Sequence, residues 1–141
     1  MLEKVNLNSS VAVYVQIENQ VRFAVAAGKL KADDQLPSVR ELSERLEVNP
    51  NTVSKACRDL EVMGIVYTRR GMGIYIQKGA EARCRSAVRT QVIEKLYEVV
   101  GEALAAGFSH KEMGAIADKL CHAGVEPYAI ESSLVRSLTK V

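Results

Sequence analysis

Polar and basic side chains gather on one side of a predicted helix in the stretch VNPNTVSKACRDLEVMG. The outward positions of this helix are Asn51, Ser54, Lys55 and Arg58. Such side chains match duplex DNA chemically, because base edges offer hydrogen-bond donors and acceptors and phosphates attract cations and hydroxyl groups. An ordinary solvated helix face is the alternative interpretation.

Two arginines follow this helix, between two short strand-like runs. IVYT and IYI flank RRGMG, which is a hairpin pattern in which Gly71 and Gly73 allow positive φ. We expect Arg69 and Arg70 at the hairpin tip, beside the minor groove or the flanking phosphates. A charged tip that only keeps a sheet edge soluble would give the same pattern.

Arg40 would extend the basic surface from the preceding helix. In SVRELSERL, Ser38 and Glu41 have the spacing of a capping box, which predicts a helix over residues 39–46. The alternative role for Arg40 is an exposed ion pair with Glu44 at i+4.

Helical periodicity predicts the elements that position these groups. A first helix starts near Val13 and ends at Gly28 in a left-handed conformation. The helix with the polar face has Asn49 as its N-cap and Pro50 at its first position, and Gly64 stops it. Two short helices followed by a hairpin are the order of a winged helix.

The second half of the chain predicts helices with unburied apolar faces. One helix runs from about residue 81 to Ala106, a second lies between the Ser109 cap and Gly124, and a last one is predicted to start near Pro127. So small a hairpin cannot bury both of its apolar faces. We therefore expect a homodimer with an interface formed by Val88, Val92, Leu96, Val99, Val100, Ala103, Leu104, Met113, Ile116 and Leu120.

Composition sets the outer limits. With 141 residues, of which 48% are hydrophobic, the chain can form one ordinary core or a compact head with a small appendage. The net charge is only +2, with 11 basic and 9 acidic residues in 1–79. The sequence has no apolar run of about 18 residues and no secretory start, so we expect a cytoplasmic protein without a membrane partner.

Catalytic and metal chemistry find little support. The three cysteines are widely spaced, and the pair Cys121 and His122 has no further metal ligands at useful spacing. Gly71 and Gly73 precede a strand and not a helix, which argues against a phosphate-binding loop. We expect neither an enzyme nor a bound cofactor.

The stretch LPSVRELSERLEVNPNTVSKACRDLEVMGIVYTRRGMGIYI closely resembles the DNA-binding domain of GntR-family bacterial transcriptional regulators. The resemblance covers about residues 10–78 and includes LPSxREL, VNPNTV, xxLExxGI and the GxGxYI wing. It implies a mostly α fold with a small β-hairpin wing: a winged helix-turn-helix head in 1–78. The short helical domain in 79–141, used for dimerisation, is similar to that of the YtrA-type subfamily.

The resemblance also implies which residues contact DNA. Carried over by position, they are Arg40, Asn49, Asn51, Thr52, Ser54, Lys55, Arg69, Arg70 and Gly71. Glu47 departs from the family pattern, because the helix-turn-helix often has Gly there, and a positive φ would cost about 1 kcal/mol. Asp33 and Asp34 occupy a loop that is often written with Pro and Gly.

The function expected on these grounds is sequence-specific regulation of transcription. We expect a repressor that binds a pseudo-palindromic operator in double-stranded DNA as a homodimer, in which Arg40 and Asn51 contact bases. The alternative is a winged-helix interaction module whose basic wing docks an acidic protein. Whether the second domain also binds a small-molecule effector or only dimerises stays open at this point.

Overall fold

The computed structural model describes residues 5–124, which form five helices and three strands. The elements are α1 (Val13–Ala26), β1 (Gln35–Leu36), α2 (Val39–Leu46), α3 (Pro50–Val62), β2 (Val66–Arg69), β3 (Gly73–Ile76), α4 (Ala80–Ala105) and α5 (His110–His122). The chain divides into two compact units, Met1–Thr90 and Gln91–Val141. Each unit is described by itself.

Side-chain caps fix the starts of α2 and α3. The Ser38 hydroxyl accepts a hydrogen bond from the Glu41 amide at 3.1 Å, and the Glu41 carboxylate accepts one from the Ser38 amide at 3.3 Å. At α3, Asn49 Oδ1 accepts from the Asn51 amide at 2.8 Å, and Pro50 occupies the first turn. These bonds satisfy amides that have no partner inside the helix, so both predicted helix starts are confirmed.

The turn between α2 and α3 contains Glu47, at the position where the family pattern often has Gly. Glu47 adopts a left-handed conformation with φ of 54°, and its amide donates to the Ser43 carbonyl. A residue with a Cβ atom is strained in this region by about 1 to 2 kcal/mol. The turn nevertheless holds α3 against α2 in the helix-turn-helix arrangement.

The sheet has three antiparallel strands in the order β1-β3-β2. The sequence predicted only a two-stranded hairpin and placed Asp33 and Asp34, which directly precede β1, in a loop. That interpretation missed β1, because a strand of two residues with one buried side chain, Leu36, has no detectable alternation. Arg69 pairs with Gly73, so Arg69 ends strand β2 and only Arg70 of the two arginines lies in the turn.

One apolar core holds the first unit together. It joins α1, α2, α3 and the sheet through fully buried side chains, chiefly Ile17, Val21, Val25, Leu42, Val53, Leu60 and Ile76. Burying a Val, Leu or Ile side chain contributes about 1.5 to 3 kcal/mol. Ala80 and Cys84, in the first turns of α4, are buried in the same core, which explains why this unit extends to Thr90.

The second unit contains the rest of α4 and α5, with α5 capped by a 3.0 Å hydrogen bond from the Glu112 amide to the Ser109 hydroxyl. Most of the side chains expected at a dimer interface are exposed here or only half-buried. Leu96 and Val99 are 58% and 59% exposed, while Met113, Ile116 and Leu120 are half-buried. The helix predicted from Pro127 lies outside the described residues.

Two further features of residues 5–124 concern chemistry and environment. No described helix is both long enough and apolar enough to cross a membrane. Within the same residues, no group of three or more His, Cys, Asp or Glu side chains is arranged to hold a metal ion.

Candidate nucleic-acid interface

The outer face of α3 carries the side chains predicted to contact DNA. Val53, Ala56, Cys57 and Leu60 are buried, which turns the intervening positions outward. Asn51, Lys55 and Arg58 are exposed, and Thr52 and Ser54 are half-buried. The polar face that the sequence predicts for α3 is therefore present in the folded chain.

One edge of this face adjoins the wing. Ser54 and Arg58 line a crevice of about 260 Å³ together with Thr68 of β2, and Cys57 and Ile74 are also in its wall. Burial raises the pKa of the Cys57 thiol, which therefore stays protonated near neutral pH. The crevice brings helix and wing side chains onto one surface.

Lys55 lies at the other edge of the face, beside α1. Its Nζ atom is 3.2 Å from Asp59 Oδ2 and 4.5 Å from the centre of the Tyr14 ring. The helical periodicity of the sequence predicted that Lys55 faces outward, but it did not predict Asp59 and Tyr14 as its partners. An exposed pair of this kind is weak, about 0.3 to 0.5 kcal/mol, so phosphate could compete for the ammonium group.

Arg40 is exposed on α2 and pairs with Glu44. The distance between Arg40 Nε and Glu44 Oε1 is 3.2 Å, and 88% of the Arg40 side chain is accessible. The ion pair that was the alternative interpretation of Arg40 is therefore present. It is also weak enough for the guanidinium to exchange partners on binding DNA.

Asn49 has a local structural task. Its side-chain oxygen is occupied by the Asn51 amide as the cap of α3. A contact between Asn49 and DNA would have to come from its remaining amide donors. The cap positions Asn51 at the start of the polar face.

The wing holds one of its arginines on an aromatic platform. The Tyr67 and Tyr75 rings stack with centroids 5.6 Å apart, and the guanidinium of Arg69 lies 5.6 Å from each ring centre. The Tyr67 hydroxyl donates to Asp33 Oδ1 at 2.8 Å, and this hydrogen bond is the first cause of the raised pKa of Tyr67. Sequence reasoning missed both tyrosines, although residues facing each other across a predicted hairpin were the available signal.

The two wing glycines, Gly71 and Gly73, occupy positions that require glycine for different structural reasons. Gly71, in the turn, has φ of 77° and open space around it, which suits close approach by another molecule. At Gly73, φ is 123° and a Cβ atom would lie 2.7 Å from Gln35 Nε2. The Gln35 amide in turn donates to the Met72 carbonyl at 3.0 Å, so Gly73 serves the packing of β1 on the wing.

Comparison with known proteins points in the same direction as the geometry. Residues 13–76 match the family model described as bacterial regulatory proteins, gntR family. The chain is 39% identical over 104 residues to the HTH-type transcriptional repressor YtrA of Bacillus subtilis, covering 74% of this chain and 80% of that protein. It is also 32% identical to the uncharacterised regulator YhcF of the same organism, over 79% of this chain and 86% of YhcF.

Solved structures extend the likeness beyond the head. A GntR family transcriptional regulator from Listeria monocytogenes superposes with a TM-score of 0.63 at 32% identity, covering 80% of this chain and 98% of the other. YtrA from Sulfolobus acidocaldarius, a GntR-family transcription factor, superposes with a TM-score of 0.54 at 31% identity, covering 69% and 99%.

Proposed function

Because this chain is a DNA-binding transcriptional regulator of the GntR family, of the YtrA type, we propose that it represses transcription as a homodimer on a pseudo-palindromic operator. Its likeness to a protein described as a transcriptional repressor supports repression and not activation of transcription. The proposed site of action is the cytoplasm, where a bacterial chromosome would be accessible.

The observation that carries the proposal is the shared surface of α3 and the wing. Ser54 and Arg58 of α3 border the same crevice as Thr68 of β2. We assign base contacts to Arg40 and Asn51, and phosphate contacts to Thr52, Lys55, Arg69 and Arg70. Asn49, Ser54, Arg58 and the Gly71 backbone complete the proposed interface.

An apolar groove within the second unit supports the homodimer. It has a volume of about 490 Å³ and is lined largely by apolar side chains of α4, α5 and the turn between them, among them Leu96, Val99, Phe108, Met113, Ile116 and Leu120. Apolar surface of this extent on a regulator needs a cover. We assign the cover to the second subunit, and the 79–141 region to dimerisation; a small-molecule effector would share this surface.

Symmetry links the dimer to the operator. A two-fold axis relates two copies of α3, so each copy can enter the major groove of one half-site. The half-sites should be about 34 Å apart, which is one helical turn of DNA. Sequence preference would then arise from Arg40 and Asn51 in both subunits.

The phosphate contacts are tested by the salt dependence of DNA binding. Each lost contact should reduce the slope of log affinity against log salt concentration by about 0.9 per subunit. Arg70→Ala should therefore flatten the slope on any duplex. Lys111→Ala, which removes an exposed cation of α5, is the matched control and should leave the slope unchanged.

Equal slopes for the wild-type protein and Arg70→Ala would remove Arg70 from the interface. Equal flattening in Lys111→Ala would show that total charge, and not the α3 and wing surface, governs binding.

A further inference from the structure

A buried carboxyl group lies directly behind the α1 edge of the proposed DNA surface. Glu18 of α1 is 6% exposed. Its Oε1 atom has no hydrogen-bond partner within residues 5–124 and is inaccessible to solvent. Buried carboxylates are costly unless they are paired or protonated, so this arrangement calls for a specific explanation.

The neighbour of Glu18 on α3 is another acid. The side chains of Glu18 and Asp59 lie within reach of each other, and a hydrogen bond between two carboxyl groups requires one proton between them. Burial is the main cause that raises the pKa of Glu18 to about 7, and the hydrogen bond and charge of Asp59 add to it. The same hydrogen bond is the main cause that lowers the pKa of Asp59, so the shared proton resides on Glu18.

Asp59 in turn holds Lys55. The Lys55 ammonium lies 3.2 Å from Asp59 Oδ2 and above the Tyr14 ring. The chain of contacts therefore runs from Glu18 through Asp59 to Lys55, which lies on the outer face of α3. Lys55 and Arg22 oppose the raised pKa of Glu18 by their charges, and Arg58 acts on Asp59 in the same way as Lys55.

We propose that Glu18, which lies outside the helix-turn-helix, is a positioning residue that controls through Asp59 how readily Lys55 reaches a DNA phosphate. When Glu18 is protonated, its hydroxyl donates to Asp59 and weakens the hold of that carboxylate on Lys55. When Glu18 is ionised, two carboxylates share the ammonium and draw it towards α1, away from DNA. The inference depends on the proposed contact between Lys55 and phosphate.

The direction of the effect is determined by charge. Raising the pH adds one negative charge behind the recognition helix and strengthens the competition for Lys55, and both changes disfavour phosphate binding. DNA affinity should therefore fall as the pH rises through about 7. The chain has two histidines, His110 and His122, and both lie on α5, so the first unit contains no imidazole.

The test uses the full chain and a fluorescent random-sequence duplex of about 30 base pairs, since phosphate contacts are independent of sequence. Affinity is measured between about pH 6 and about pH 8 at constant salt. The wild type should lose affinity several-fold over this range. Glu18→Gln, whose amide still donates to Asp59 but cannot ionise, should give a flat profile, whereas the control Glu94→Gln on exposed α4 should keep the wild-type profile.

Lys55→Ala separates the two levels of the proposal. If Lys55→Ala binds the duplex as tightly as the wild type, the phosphate contact of Lys55 is wrong, and the role of Glu18 fails with it. If Lys55→Ala weakens binding but Glu18→Gln keeps the wild-type pH profile, the role of Glu18 alone is overturned. In the free protein, carbon NMR should show Glu18 titrating near pH 7 with Lys55 signals shifting at the same midpoint, and independent titrations would contradict the coupling.

Discussion

The guanidinium carbon of Arg69 lies 5.6 Å from the centre of the Tyr75 ring, at one end of the wing. Tyr67 stacks on Tyr75 at a centroid distance of 5.6 Å, so the cation rests on two rings. Cation–π contacts at exposed sites contribute about 0.5 to 1 kcal/mol. The contact restricts the arginine before DNA arrives and so reduces the rotamer freedom lost on binding.

Removing the platform should weaken DNA binding. We expect Tyr75→Leu to lower affinity by about 0.5 to 1 kcal/mol, because Arg69 loses an aromatic face. Tyr75→Phe keeps that face and loses only the 3.2 Å hydrogen bond to the Met72 carbonyl, so its affinity should stay near that of the wild type. Fluorescence anisotropy on one duplex measures both. Equal losses would show that the hydroxyl, and not the ring, matters.

Arg40 should affect which sequence is bound. Arg40→Ala is expected to cost about 1 to 3 kcal/mol on the preferred duplex and to relax the preference at one base pair. Arg45→Ala, which removes another exposed cation of α2, is the control. Competition between preferred and random duplexes measures the effect, and equal losses on the two would mean that Arg40 contacts only the backbone.

The buried acid should make folding stability depend on pH. The folded-state pKa of Glu18, about 7, exceeds the ordinary value of 4.5, so folding takes up a proton. The stabilisation by that proton is complete below about pH 4.5 and is lost as the pH rises through 7. Relative to Glu18→Gln, the wild type should therefore lose about 1 to 3 kcal/mol of unfolding free energy between about pH 5 and about pH 8.

Urea unfolding of both proteins at the two pH values measures this difference directly. If the unfolding free energy changed by the same amount between the two pH values in the wild type and in Glu18→Gln, a raised pKa at Glu18 would be contradicted. The comparison cancels contributions from carboxyl groups that are distant from Glu18, because both proteins contain them.

The strained turn offers a gain in stability. Glu47 has φ of 54°, where glycine is relaxed and a side chain costs about 1 to 2 kcal/mol. Glycine also loses about 0.5 to 1 kcal/mol through the freedom of its unfolded chain, so Glu47→Gly should stabilise by up to about 1 kcal/mol. Thermal unfolding measures it. Glu47→Val should lower the stability of the protein. Equal effects of the two substitutions would contradict backbone strain at Glu47.

The exposed apolar groove should be the dimer contact. Leu96, 58% exposed, lines it, and Leu96→Glu would place a charge in the proposed interface. We expect this variant to be monomeric by light scattering at micromolar concentrations. Val62→Glu also replaces an exposed apolar side chain, 88% exposed on α3, and should remain dimeric. Dimers from Leu96→Glu would place the contact elsewhere.

Sequence patterns predicted the helical parts of the fold because local chemistry determines them. Ser38 with Glu41 and Asn49 with Pro50 mark the helix starts that the structure contains. The winged-helix class, the family and the regulator function expected from sequence are confirmed, and the named relatives are regulators and not enzymes. The short strand β1 escaped prediction because its two residues are held by pairing with β3, which is distant in sequence.

The partners of the candidate site residues were harder to predict. The periodicity of α3 places Lys55 on a polar face but cannot reveal that Tyr14 and Asp59 surround its ammonium group. Glu18 occurs in a helix whose other buried residues are largely apolar, and only the packing of α1 on α3 brings it to Asp59. Such contacts depend on tertiary structure, so sequence spacing within one element does not encode them.

Selection of random duplexes by the pure protein tests the central claim most directly. If two copies of α3 and the wing bind DNA as a homodimer, the selected pool should contain an inverted repeat with half-sites about 10 base pairs apart, centre to centre. One dimer should protect both half-sites in footprinting. A pool without enrichment at moderate salt, or a single half-site bound by one chain, would contradict it.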